Sequence, residues 1–144
     1  MAGDNSGPFD LIVIGSGPGG YVAAIRAAQL GMNAACVEAA ELGGVCLNIG
    51  CIPTKAMLAS AALVNEMKDA EKHGILAKDI TFDLGPAQER SRSVAQQMAK
   101  GIGHLFKKNK VTHLPGHGRL KGAGKVEVEA EDGSKTVYEA AHVI

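Results

Sequence analysis

Phe9-Asp10-Leu11-Ile12-Val13-Ile14-Gly15-Ser16-Gly17-Pro18-Gly19-Gly20 is the stretch on which the reading of this chain turns. Its first six residues form a short apolar run ending in glycine, the pattern of a central parallel strand covered on both faces. Tyr21 to Leu30, after the glycines, is alanine-rich with strong helix formers, and Gly31 stands where a left-handed helix cap is wanted. Asn33 to Val37 then reads as a second buried strand with Glu38 at its carboxyl end. These elements predict a βαβ unit, and with it an α/β fold of Rossmann type.

The turn itself suits a dinucleotide pyrophosphate, which needs close backbone approach, N–H donors and the positive pole of a helix. Gly15 permits the tight turn, Gly17 removes a side chain that would block phosphates, and Gly20 lets helix and strand lie close. Glu38 can accept hydrogen bonds from ribose hydroxyls. Three glycines alone are weak evidence, and a structural turn beside an exposed glutamate is the competing reading. The strand before them, the helix after them and the acidic strand end favour the dinucleotide. The fingerprint does not separate FAD from NAD.

Further along stands Gly43-Gly44-Val45-Cys46-Leu47-Asn48-Ile49-Gly50-Cys51-Ile52-Pro53-Thr54-Lys55. Cysteines five apart on an ideal helix are separated by about 7.5 Å of rise, beyond the ~7 Å Cα separation a disulfide tolerates. Gly50 and Pro53 suggest an irregular first turn that brings the sulfurs together and places Cys51 near backbone N–H groups, where a thiolate is favoured. Lys55, four residues beyond Cys51, adds a cation on the same face. Three chemistries suit such a pair. A metal site lacks a third ligand nearby, inert core thiols fit the apolar neighbours, and a redox disulfide fits the glycine, the proline and the lysine together. Cys36, inside a predicted buried strand, reads as core.

Lys55 to Lys72 predicts a long helix closed by Gly74. Gly85-Pro86 opens another, with Val94, Met98, Ile102 and Leu105 as its apolar stripe, and Lys107, Lys108 and Lys110 as a solvated basic end. Lys125 to Ala130 alternates as a strand does, Asp132-Gly133 reads as a two-residue hairpin turn, and Thr136-Val137-Tyr138 resumes extended structure, an antiparallel meander against the parallel sheet. Ala140 to Ile144 looks like the start of a further strand. Residues 1–8 read as a flexible tail with neither a secretory nor a transit signal, and 9–144 as one domain of ordinary size.

Composition removes other classes. Fifteen basic residues balance fifteen acidic ones, and three phenylalanines with two tyrosines make no stacking platform, so nucleic acid is not an expected partner. Polar residues interrupt every hydrophobic run, and a membrane span of about 20 apolar residues is not expected. Three cysteines suit a reducing compartment, and the cytoplasm is the expected location. The five histidines, His73, His104, His113, His117 and His142, have no partner fixed by spacing and read as structural or solvent-facing.

The Gly-Ser-Gly-Pro-Gly-Gly turn, Glu38 and the Cys46–Lys55 segment together resemble the flavin-dependent pyridine nucleotide-disulfide oxidoreductases over essentially the whole chain. The Leu-Asn-x-Gly-Cys-Ile-Pro-Thr-Lys-Ala form is closer to the branch that oxidises dihydrolipoyl groups than to the glutathione or mercuric branches. The resemblance implies a Rossmann-like FAD-binding domain in which Gly15, Gly17 and Gly20 wrap the FAD pyrophosphate and Glu38 holds the adenosine ribose. Cys46 would exchange with a dithiol substrate, Cys51 would lie against the flavin as a charge-transfer thiolate, and Lys55 would sit near the reactive edge of the ring. Electrons would pass from dihydrolipoyl groups to the cysteine pair, to FAD and then to NAD+. It further implies lipoyl domains of 2-oxoacid dehydrogenase complexes as partners, a homodimer, and NAD and interface domains beyond Ile144. The expectation is therefore a truncated, amino-terminal FAD-binding segment, incomplete for turnover alone and holding no metal. The alternative is a non-catalytic nucleotide-binding or assembly module.

Overall fold

The chain alternates between strand and helix in its first forty residues, turns helical through its middle and ends as strands. The computed structural model describes residues 8–76 and 78–144, so the expected tail, Pro8 apart, lies outside the described residues. The described chain forms two units. One runs to Gly44 and resumes at Ala99–Ile144, and the other is Val45–Met98.

The first unit holds β1 (Phe9–Ile14), α1 (Pro18–Gln29), β2 (Ala34–Glu38), β3 (Thr112–Pro115), β4 (His117–Leu120), β5 (Lys125–Glu129) and β6 (Lys135–Val143). These strands make one sheet in the order β3-β2-β1-β6-β5-β4. β1 pairs in parallel with β2 and β6, β2 with β3, and the meander β4-β5-β6 is antiparallel. Phe9, Ile12, Val37, Leu114, Val126 and Val128 form its core, each such buried side chain contributing about 1.5–3 kcal/mol over exposure. Ile14 stands opposite Val37, so Gly15 and Glu38 leave the sheet side by side at its carboxyl edge. That edge is where open α/β sheets take ligands.

Several boundaries differ from the sequence reading. α1 starts at Pro18 rather than Tyr21, because proline's fixed φ suits a first helical position. β6 is one nine-residue strand, not a meander strand followed by a separate one: Lys135 to Glu139 pair antiparallel with β5, and from Ala140 the same strand runs parallel to β1. The Ala140 N–H leaves the ladder for the Gly124 carbonyl at 2.9 Å and marks the switch. The hairpin before it is wider than two residues, since Glu129 pairs with Lys135 and the Ala130 N–H reaches the Ser134 carbonyl at 2.9 Å. Gly133, at φ +80°, supplies the left-handed residue of that wider loop. β3 and β4 are new: four residues each, they put His113 and His117 on strands where loops or meander were expected.

The second unit contains most of α2 (Gly44–Asn48), α3 (Cys51–Lys68), a 3-10 turn at Ala70–His73 and the first part of α4 (Leu84–Asn109). α3 begins four residues before the expected Lys55, since Pro53 is tolerated in a first turn. The regular helix stops at Lys68, and the turn that follows reaches Gly74 as expected. In α4, Asp83 accepts the Gly85 N–H at 2.9 Å. Its buried stripe is Ala87, Ser91, Ala95, Ile102 and Phe106, while Met98 and Leu105 are exposed. The expected stripe is thus rotated, because small alanines and a serine pack inward where larger apolar side chains were sought. One further expectation is corrected. By length and composition alone, Gly44–Lys68 is apolar enough to cross a bilayer, its alanines adding hydropathy without forming a long uninterrupted apolar run.

Candidate functional site

The glycine turn is built from Ser16 outward. Ser16 is fully buried, and its N–H and hydroxyl both donate to Glu38 Oε2, at 2.9 and 2.6 Å. Its hydroxyl also accepts the Gly43 N–H at 3.1 Å, and Glu38 Oε1 accepts the Ala40 N–H at 3.0 Å. Burial alone would raise the Glu38 carboxyl, but the Ser16 hydroxyl and the N–H groups of Ser16, Ala40 and Ala39 outweigh it and hold the group below the usual carboxylate range. Glu38 is therefore an anion fixed to the turn, with its position set by hydrogen bonds. Sequence reasoning missed Ser16. Its only signal was a small hydroxyl residue between two glycines and an acidic strand end to receive it.

The glycines divide by what a side chain would meet. A Cβ on Gly20 would overlap the Gly15 carbonyl oxygen, the close helix–strand packing expected there. A Cβ on Gly44 would lie 2.9 Å from the Gly17 Cα, so Gly44 packs directly on the turn. Around Gly15, at φ +98°, and around Gly17 a Cβ would meet nothing within 4 Å. The turn is thus packed on one side and open on the other. Protein packing does not require glycine at 17, whereas an approaching diphosphate would, so these residues fit a dinucleotide cofactor. Beside the turn, Glu38, Ala39, Pro115, Gly116 and His117 help line a groove of about 680 Å³ in the same unit, within the range of small-molecule sites.

Two neighbours of the turn are quiet. Cys36 is fully buried, its thiol directed at the Gly15 carbonyl at 3.9 Å and pushed up to about 12 by burial and then by Glu38. It is the core thiol expected. His113 pairs in register with Cys36 and meets the Phe106 ring edge-on, and burial holds its imidazole below the ordinary value against the pull of Glu38.

The cysteine pair sits across a break in helical structure in the other unit. Cys46 belongs to α2, Cys51 is the first residue of α3, and between them Gly50 leaves the helix at φ −123°, ψ −113°. A Cβ on Gly50 would lie 2.9 Å from the Val45 carbonyl oxygen and 3.3 Å from the Cys46 Cα, so only glycine fits. The break defeats the separation that a continuous helix would impose. Both cysteines are free thiols, Cys46 half-buried and Cys51 exposed, and their side chains are hydrogen-bonded to one another. That bond, with desolvation and Cys51's charge, raises the Cys46 thiol, while the Cys51 N–H and Lys55 pull it down. Cys46 therefore holds its proton more tightly than an ordinary thiol does.

Helix α4 reaches this segment with two side chains the sequence did not mark. The buried Ser91 hydroxyl donates to the Pro53 carbonyl at 3.0 Å, and Arg92 donates to the Asn48 carbonyl at 3.4 Å. No spacing rule links α4 to the cysteines, so neither residue was legible. Among the described residues no cluster of three or more His, Cys, Asp or Glu side chains is arranged for a metal.

Residues 9–144 match the model of the pyridine nucleotide-disulphide oxidoreductase family. The chain is similar to dihydrolipoyl dehydrogenase of Zymomonas mobilis, 50% identical over 136 residues, which are 94% of this chain and 29% of that protein. It is similar to dihydrolipoyl dehydrogenase of Mycobacterium tuberculosis, 52% identical over 87% of this chain and 27% of the relative. Among solved structures it resembles LpdA from Mycobacterium tuberculosis, with a TM-score of 0.84 and 26% identity over 92% of this chain and 30% of that one. The chain thus spans less than a third of the length of these relatives.

Proposed function

The chain belongs to the pyridine nucleotide-disulphide oxidoreductase family, and we propose that it carries the FAD-binding turn and the redox dithiol of a dihydrolipoyl dehydrogenase. Flavin and nicotinamide cofactors belong to that family in general. FAD at this turn is our reading, held by the backbone of Gly15, Gly17 and Gly20, with Glu38 toward the adenosine ribose. When bound, the flavin supplies an acceptor for the electron pair leaving the cysteines and a donor to NAD+.

The observation that carries the proposal is the break at Gly50, which admits only glycine and puts Cys46 and Cys51 on either side of it, with each thiol felt by the other. In the oxidised protein a thiolate of the dihydrolipoyl group attacks Cys46 Sγ, the Cys46–Cys51 bond breaks, and the electron pair leaves on Cys51. The second substrate thiol then closes the lipoyl disulfide and releases Cys46, which takes up a proton. The raised Cys46 thiol suits that proton, and Lys55, four residues after Cys51, supplies a cation whose charge is already felt at the pair through Cys46. Lipoyl domains of 2-oxoacid dehydrogenase complexes are the partners we propose, with a homodimer as the assembly and the cytoplasm as the compartment.

The test is direct. The purified chain, mixed with FAD and mild oxidant, should lose two alkylatable thiols, at 46 and 51, and regain them with dihydrolipoamide. Both thiols staying fully alkylatable under oxidant, read by mass spectrometry, would refute the proposal.

A further inference from the structure

We infer that Ser91 and Arg92 of α4 are positioning residues that set the redox equilibrium of the Cys46–Cys51 pair by clamping both sides of the break between them. This inference rests on the reading of that pair as a redox dithiol. The two contacts are not scattered over the segment. Arg92 holds the carbonyl of Asn48, the last residue of α2, and Ser91 holds the carbonyl of Pro53, in the first turn of α3. Cys46 lies two residues before one anchor, and Cys51 two residues before the other. The two residues outside the helices, Ile49 and Gly50, lie between the anchors.

The requirement for a clamp follows from helix geometry. If α2 and α3 relaxed into one helix, the five-residue interval would put about 7.5 Å of rise between the cysteines and end the contact between their thiols. Glycine allows the break, but its flexibility does not by itself keep the break in one arrangement. Arg92 also places its cation at the carboxyl end of α2, where a positive charge is favoured. Ser91 is buried, so its bond is shielded from water, while the Arg92 contact is exposed. Losing either contact lets the thiols separate part of the time and lowers their effective concentration toward each other.

The equilibrium is read with glutathione. Protein dithiol plus glutathione disulfide gives the Cys46–Cys51 disulfide plus two glutathione thiols, with the electron pair and both protons passing to glutathione. The full chain, Ser91→Ala, Arg92→Gln, Arg92→Lys and the surface control Gln97→Ala are equilibrated over a range of glutathione ratios and trapped by alkylation. One intramolecular hydrogen bond is worth about a two- to tenfold change in such an equilibrium. Ser91→Ala and Arg92→Gln should each weaken disulfide formation about fivefold, a shift of about 20 mV to more positive potential. Arg92→Lys should recover part of it, and Gln97→Ala should not move.

Circular dichroism on each variant separates a local effect from a failure to fold, and Arg92→Gln, at an exposed side chain, keeps the test open if Ser91→Ala does not fold. Potentials of both clamp variants unchanged or more negative, beside a wild type that forms the disulfide, would overturn the clamp alone. A wild type that forms no disulfide between 46 and 51 would overturn the redox reading and the clamp with it.

Discussion

Replacing Gly50 by alanine puts a methyl group 2.9 Å from the Val45 carbonyl oxygen, 3.3 Å from the Cys46 Cα and 3.5 Å from the Val45 carbonyl carbon. All three are backbone atoms, so no rotamer change can make room and the last turn of α2 must move. Overpacking of this kind costs about 1–3 kcal/mol. Alanine is also favoured over glycine in a helix by about 1 kcal/mol. Both effects push one way, toward a straighter segment with Cys46 drawn off Cys51. If the cost falls wholly on the geometry that lets the sulfurs join, disulfide formation weakens by about 5- to 150-fold, since 1.4 kcal/mol is a factor of ten. The assay is the fraction of 46–51 disulfide at fixed glutathione ratio, trapped by alkylation and read by mass. Gly101→Ala supplies the opposite sign: this helical glycine has nothing within 4 Å of its added Cβ, so the change should stabilise by about 0.5–1 kcal/mol. A Gly50→Ala protein that oxidises as readily as wild type would show that the break does not hold the pair, and the reasoning would fall.

Gly17→Ala should leave thermal stability near wild type, since its Cβ meets nothing, yet weaken FAD binding at least tenfold in a fluorescence titration; Gly20→Ala, whose Cβ overlaps the Gly15 carbonyl, should unfold at lower temperature with or without cofactor. Glu38 should contribute an acid-side stability dependence. Its folded pKa lies below the ordinary value of 4.5, so its contribution is fully present above that value and is lost as pH falls through the folded pKa. A pH series of unfolding curves should be flatter on the acid side in Glu38→Gln, and identical curves would contradict the Ser16–Glu38 lock. Cys36, fully buried with its thiol near 12, should resist aromatic disulfide reagents in native protein while Cys46 and Cys51 react, and should appear as a third thiol only in denaturant.

What the residues disclose depends on the range over which each feature is decided. The first βαβ unit was legible because each part is local: an apolar run, a glycine turn, a helix former run and a second apolar run, in consecutive order. Glu38 could be placed at a strand end by the same logic. The cysteine pair was legible as an irregularity, because Gly50 and Pro53 argue against a regular helix through it. β3 and β4 were not, being four residues each with histidine, proline, glycine and arginine among them. Their extended state comes from the partners they meet, β2 and β5, and not from their own propensity. β6 was split in two for the same reason, since a strand that changes neighbours at Ala140 has no local mark of the change.

The same division separates the legible site from the hidden one. Gly15, Gly17 and Gly20, then Glu38 at a strand end, then Cys46, Cys51 and Lys55 stand in three places whose spacing suggests chemistry. Ser16 ties the glycine turn to Glu38 from inside it, Ser91 and Arg92 hold the cysteine segment from α4, and only the folded chain brings the three to their partners. Ser16 acts across 22 positions on Glu38, and Ser91 across 38 on Pro53. Each such contact stabilises one arrangement of a flexible glycine-containing stretch, at Gly15–Gly17 in one case and at Gly50 in the other. Glycine makes each backbone path possible, and a hydroxyl bonded across a long sequence separation makes it the occupied one. A site read from glycine and cysteine spacing alone therefore picks out the groups proposed to react, and leaves out the side chains that hold their segments.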